Sequence, residues 1–126
     1  MKVWATVVGF LILVIVLMLI STHIILGAAD KIESELSGLY ENVIKNDYKL
    51  ANSNYLDIVK KWGKYKKGWA MLIEHQEIDK IDEELTKIKE YLLEQDRTLL
   101  LSEISLLKFY IRHVREMILL KIENIF

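Results

Sequence analysis

The chain has 126 residues, nearly balanced charge, and neither cysteine nor proline. Its 17 Lys and Arg against 18 Asp and Glu give a formal net charge of −1, which argues against a nucleic-acid-binding domain. Without cysteine there is no disulfide framework and no thiolate chemistry. Because proline is the strongest helix breaker, its absence favours long helices.

The amino-terminal region is apolar enough to cross a membrane. Residues 3–29 carry no formal charge, and residues 10–20 are entirely apolar. About 20 apolar residues in helical form span the hydrocarbon core, whereas a secretory signal has an apolar centre of about 7–15. Gly27-Ala28-Ala29 offers small residues to a signal peptidase, so cleavage is the alternative. We predict a transmembrane signal-anchor helix at 1–29 and an extracytoplasmic helical bundle at 30–126.

The flanking charges predict the orientation of this single-pass helix. Lys2 and the amino terminus precede it, and Asp30, Lys31, Glu33 and Glu35 follow it. Positive charge is retained in the cytoplasm, while acidic residues contribute little. We therefore expect the amino terminus inside the cell and the following domain outside.

Four segments of the remaining chain show the helical period of 3.6 residues. The first continues the membrane helix outward to Asn46-Asp47, and Asn52-Ser53-Asn54 is predicted to cap the second. A break is expected near residues 74–77, and Asp96 is predicted to cap the fourth. The predicted core positions of the four are Ile32, Leu36, Leu39 and Val43; Tyr55, Val59, Trp62, Trp69 and Ile73; Ile78, Ile81, Leu85, Ile88 and Leu92; and Leu100, Ile104, Leu107, Ile111, Val114 and Ile118.

Short connections between such helices favour antiparallel neighbours. The predicted fold is all-α: an N-terminal transmembrane helix plus an antiparallel, up-down bundle of three to four helices. The alternative is that residues 55–92 form one long bent helix. In the up-down arrangement, the end of the second helix and the carboxyl terminus both lie near the bilayer.

That topology suggests a surface that binds a partner or lipid. Its candidate residues are Lys60, Lys61, Lys64, Lys66, Lys67, Trp62, Trp69 and Phe126. Tryptophan suits the membrane interface and lysine suits anionic headgroups. A purely structural explanation stands beside this one: lysines late in a helix suit its dipole, and they would face the six acids of residues 74–84. The tryptophans at seven-residue spacing are likewise typical of core.

No pattern indicates catalysis, a cofactor or a metal. Glu74-His75-Gln76-Glu77 and Asp79 are the densest set of potential ligands, but they lack the HExxH spacing that puts two histidines on one helical face. The Glu-x-x-His motif of di-iron bundles is absent because Leu72 and Tyr110 stand three residues before His75 and His113. We expect that the chain is not an enzyme.

The layout resembles the domain-of-unknown-function family 4363, whose members are short bacterial chains with one N-terminal span followed by helices. The resemblance rests on Trp69, residues 74–79, Tyr91-Leu92 and Asp96, and then on Leu107-Lys108, Ile111, His113-Val114 and residues 124–126. It implies a bacterial envelope setting, in spore-formers, and association with a multi-span membrane protein. It implies no activity or substrate.

The sequence therefore favours a non-enzymatic accessory or scaffolding protein of the bacterial cell membrane. Its expected partners are the lipid bilayer and either a multi-span membrane protein or a second copy, and no nucleic acid. The alternative is an extracytoplasmic ligand-sensing bundle with a ligand near Trp62, Trp69 and His75. Since only Met1 and Lys2 precede the span, such a sensor would signal through a partner's helices.

Overall fold

The computed structural model describes residues 1–125 and consists of four α-helices. They are α1 (Lys2–Ile44), α2 (Tyr48–Ala70), α3 (His75–Glu94) and α4 (Arg97–Ile125). Each helix packs on two neighbours, so that α1, α2, α3 and α4 form a closed antiparallel ring. The predicted all-α bundle is confirmed, and the alternative of one bent helix over residues 55–92 is wrong because the chain turns at residues 71–74.

The first helix is 43 residues long and has two different halves. Over its amino-terminal half, an 18-residue window has a mean hydropathy of 3.0, and none of that window is buried. Within residues 1–125 only this helix is long and apolar enough to cross a membrane, a property that suits an anchor and a signal sequence alike. The carboxyl-terminal half packs in the bundle from Ile25 onward.

No break separates the two halves of α1. Ile25, Ala28 and Ala29 are buried with the bundle core, so the bundle begins about one turn before residue 30. We call the end of the bundle nearest the apolar half of α1 the proximal end. It contains the α2–α3 turn and the last turns of α4, and the other two turns lie at the distal end.

Both distal turns use the same local chemistry. Asn46 and Gln95 adopt the left-handed conformation, with φ of 58° and 54°. The amide that follows each one reaches back to the last helical turn, from Asp47 to the Asn42 carbonyl and from Asp96 to the Tyr91 carbonyl. This is the Schellman arrangement that satisfies carbonyls left free at a helix end. The two turns also touch, since Arg97 donates to the Ile44 carbonyl at 3.1 Å.

The helices that follow these turns begin at aspartate caps. Asp96 accepts from the Leu99 amide at 3.1 Å, which confirms the predicted cap of α4. Asp47 accepts from the Leu50 amide at 3.1 Å, so α2 starts at Tyr48. The prediction that residues 52–54 cap α2 is therefore wrong: they lie inside the helix, where the preceding Ala51 is fully buried.

The core is a continuous apolar seam along all four helices. All predicted core positions in α1, α3 and α4 are buried. In α2 one prediction is wrong: Val59 is 37% exposed, and Ile58 takes its place in the core. Spacing explains this, because Ile58 lies three residues after Tyr55 and four before Trp62, on one helical face. Tyr55 also donates from its hydroxyl to the Leu85 carbonyl at 2.9 Å, linking α2 to α3.

Candidate functional site

Three of the five predicted lysines form one exposed stripe on α2. Lys60, Lys64 and Lys67 are spaced by four and three residues, so they share a helical face, and all three are exposed. None of them makes an ion pair with any residue between 1 and 125. We call these three residues the α2 lysine face. Leu56 and Met71, which are 58% and 86% exposed, lie at its two ends.

The other two lysines form ion pairs with acids of neighbouring helices. Lys61 pairs with Glu35 of α1, and Lys66 Nζ lies 2.5 Å from Asp82 Oδ2 of α3. The predicted contact between the lysine block and the acids of residues 74–84 is thus limited to Lys66 and Asp82. The reason is geometric: α2 packs on α1 as well as α3, so lysines on its two flanks reach different neighbours.

The two tryptophans do not belong to this surface. Trp62 is 4% exposed and Trp69 is fully buried, so their predicted place in a lipid or partner surface is wrong and their interpretation as core is right. Their rings meet edge to face, with centroids 5.2 Å apart. The Trp62 indole N–H donates to Asp82 Oδ1 at 2.7 Å, which fixes α2 against α3. Phe126, the last candidate, lies outside the described residues.

The carboxyl group of Glu84 is buried in the bundle wall. Glu84 of α3 is 3% exposed and lies against Glu103 of α4, and Lys87 lies 3.4 Å from its Oε1. Burial, then the hydrogen bond and charge of Glu103, raise the pKa of Glu84 to about 7, against the opposing charge of Lys87. A proton on Glu84 lets the two carboxyl groups share a hydrogen bond.

The densest set of potential ligands in the sequence, at the start of α3, lies mostly at the surface. Glu74 precedes the helix, and His75 and Asp79 are exposed. Among the side chains described here, no three His, Asp or Glu groups are placed to hold a metal ion. His75 is exposed whereas Trp62 and Trp69 are buried in the core, and none of these three residues lines the cavity at the proximal end.

The proximal end contains a cavity that the sequence pattern does not predict. About 380 Å³ in volume, it lies between α1, the end of α2 and the end of α4. Its wall consists of Met18, Ser21, Thr22, Ile25, Gly68, Met71, Leu72, Ile118, Lys121 and Ile122. Lys121 donates from its ammonium to the Leu72 carbonyl at 2.6 Å, closing one side. Gly68, which lacks a side chain to fill the space, was the one signal of a cavity in the sequence.

These features define a class of protein: a four-helix bundle built on the extension of a long apolar helix, with a lysine face on α2. The chain matches the model of a family described as Domain of unknown function (DUF4363) over residues 19–125. It belongs to that family, as the resemblance predicted. The comparisons with curated proteins and with solved structures give no match.

Proposed function

We propose that this chain is a non-enzymatic accessory subunit of the bacterial cell membrane, whose α2 lysine face binds an acidic surface of another membrane protein. The apolar half of α1 serves as the anchor, with its amino terminus in the cytoplasm. Because α1 runs unbroken from the anchor into the core, the bundle is held at a fixed distance and angle relative to the anchor helix. A rigid extension of this kind suits a subunit that presents one face to a neighbour.

The unpaired α2 lysine face is the observation that carries this proposal. The helix dipole acts only over the last turn, so it accounts for Lys67 but not for Lys60 and Lys64. Nor do ion pairs account for them, since among the lysines of residues 60–67 only Lys61 and Lys66 pair with an acid of the described residues. Exposed like charges on one face repel one another, so a partner that neutralises them relieves that repulsion.

The direction of the stripe favours a protein over lipid headgroups. Its lysines run along the helix axis, and Lys60 lies about 10 Å further from the proximal end than Lys67. The potential of a membrane surface decays over about 8–10 Å at physiological salt. Headgroups therefore reach Lys67 but act weakly on Lys60, whereas an acidic protein surface beside α2 reaches all three.

The test is a mild-detergent pull-down of the full-length chain from its own host, with mass spectrometry of the co-purifying proteins. Reversing two charges of the face, Lys60→Glu with Lys64→Glu, is expected to abolish recovery of a stoichiometric multi-span protein. The matched control reverses two other exposed lysines, Lys49→Glu with Lys89→Glu, and is expected to retain it. Recovery of the chain alone, or equal loss in both variants, would reject the accessory role.

The alternative function is ligand sensing. The ligand site that the sequence predicts near Trp62 and Trp69 is filled by the packed indole rings. The proximal cavity is the feature that supports ligand binding instead. A screen for ligand-induced thermal shifts on the full-length protein in detergent distinguishes the two functions, because a scaffold shows no saturable shift with small solutes.

A further inference from the structure

We infer that the proximal cavity is a binding site for one acyl chain of an anionic phospholipid, with the phosphate held by Lys121 and Lys67. This inference rests on the anchor assigned to α1 in the proposed function, but not on the protein partner. Its first support is the height of the cavity relative to the bilayer.

The rise of α1 places the cavity at the edge of the hydrocarbon core. At about 1.5 Å per residue, a core about 30 Å thick takes roughly 20 residues, which run from Val3 to about Thr22. The α1 residues that line the cavity lie between Met18 and Ile25. They therefore straddle the level at which acyl chains meet their headgroups.

The lining suits a hydrocarbon chain. Apart from the hydroxyls of Ser21 and Thr22 and the ammonium of Lys121, the side chains around the cavity are apolar. Water is poorly held in an apolar hollow because it needs two to four polar partners. At about 380 Å³ the cavity falls within the usual range for small-molecule sites, about 300–1,000 Å³.

Charge at the rim selects the headgroup. Lys121 lines the cavity and is exposed, and the exposed Lys67 lies one helical turn before Met71, another residue of the cavity wall. Within residues 1–125 neither side chain makes an ion pair, and Lys121 donates only to a backbone carbonyl. Two cations beside an apolar hollow complement an anionic phosphate attached to an acyl chain.

The test is photo-labelling of the full-length protein in phosphatidylcholine vesicles that contain phosphatidylglycerol with a diazirine on one acyl chain. Peptide mapping is expected to find the label at residues 68–72 and 118–122 as well as along residues 3–17. Gly68→Leu places a side chain in the cavity and is expected to reduce labelling of the first two segments about tenfold. Labelling along residues 3–17 is expected to stay unchanged.

Gly63→Leu is the matched control, because Gly63 is an exposed glycine of the same helix and a leucine there projects away from the cavity. Both variants replace a helical glycine, so both are expected to fold at least as stably as the native chain. Lys121→Gln is expected to lower labelling by the phosphatidylglycerol probe while leaving a phosphatidylcholine probe unaffected.

Equal labelling of residues 68–72 and 118–122 in the native chain and the Gly68→Leu variant would overturn the lipid site, as would label confined to residues 3–17. A chain that labels as expected but recovers no partner protein would reject the accessory role and retain the lipid site. A chain that recovers its partner but is not labelled in the cavity would reject the lipid site alone.

Discussion

The indole N–H of Trp62 donates to Asp82 at 2.7 Å, and this single contact joins a buried ring of α2 to a carboxylate of α3. The other carboxylate oxygen accepts from Lys66 at 2.5 Å. Asp82 thus satisfies a donor that burial removes from water and also neutralises one lysine of α2. Lys60, Lys64 and Lys67 of the α2 lysine face make no such pair with the described residues.

Removing this carboxylate is expected to destabilise the bundle. Asp82→Ala leaves the Trp62 N–H without an acceptor and is expected to cost about 1–2 kcal/mol in the free energy of unfolding. Asp79→Ala, at an exposed position of the same helix, is expected to change it by less than about 0.5 kcal/mol. Denaturant unfolding in detergent measures both. Equal effects of the two variants would show that the Trp62–Asp82 contact has no special role.

Glu84 predicts how stability depends on pH. Its pKa is raised from 4.5 to about 7 in the folded chain, so the folded state holds a proton that the unfolded state releases. The stabilisation from Glu84 is therefore complete below about pH 4.5 and is lost as pH rises through 7. At about 1.36 kcal/mol per pKa unit, the total loss reaches up to about 3 kcal/mol.

The matched test replaces Glu84 by a neutral isostere. Glu84→Gln is expected to be more stable than the native chain at pH 8 and similar to it at pH 4.5, whereas Glu83→Gln, at an exposed position, follows the native profile. Thermal unfolding across this pH range measures the difference. If Glu84→Gln is destabilised equally at both pH values, the raised pKa is not the source of the pH dependence.

The two distal turns predict unequal responses to glycine. Gln95 and Asn46 share the left-handed conformation, which glycine adopts freely and asparagine tolerates better than glutamine. Gln95→Gly is expected to stabilise the bundle by about 0.5–1 kcal/mol, and Asn46→Gly by less. Both are measured by denaturant unfolding. A larger gain at Asn46 would contradict the assignment of backbone strain to Gln95.

The absence of cysteine makes the proposed orientation directly measurable. Ser102→Cys places a thiol at an exposed position of α4. A membrane-impermeant maleimide is expected to label this thiol in protoplasts, in which the cell wall is removed and the membrane is intact. A cysteine inserted after Met1 is expected to react only after the membrane is permeabilised. The reverse pattern would place the bundle in the cytoplasm.

The helices were predictable because their apolar spacing is strict. Ile104, Leu107 and Ile111 follow the helical period, and all are buried. The predictions of a helix cap and of a core position were wrong where two suitable residues lie close together in the sequence. Asp47 and Asn52 are both good caps, and only the burial of Ala51 between them decides for Asp47. The positions of Ile58 and Val59 were exchanged because adjacent apolar residues satisfy the same approximate spacing.

The candidate site was less predictable because it depends on contacts between helices. The sequence places five lysines in residues 60–67, but which of them remain unpaired follows from the positions of Glu35 and Asp82 on two other helices. The proximal cavity likewise combines residues that are separated by up to about a hundred positions in the chain, such as Met18 and Ile118. The spacing of residues within one helix carries no information about contacts between different helices.

In-cell photo-crosslinking can show whether the α2 lysine face contacts another membrane protein. A photo-reactive amino acid at Gly63, an exposed position on this side of α2, is expected to give one discrete adduct with a multi-span membrane protein. The adduct is expected to disappear when Lys60 and Lys64 are changed to glutamate, and to be absent when the probe is placed at the exposed Leu93 of α3. If Gly63 gives no adduct, or if both positions give the same adduct, the α2 lysine face is not the contact surface.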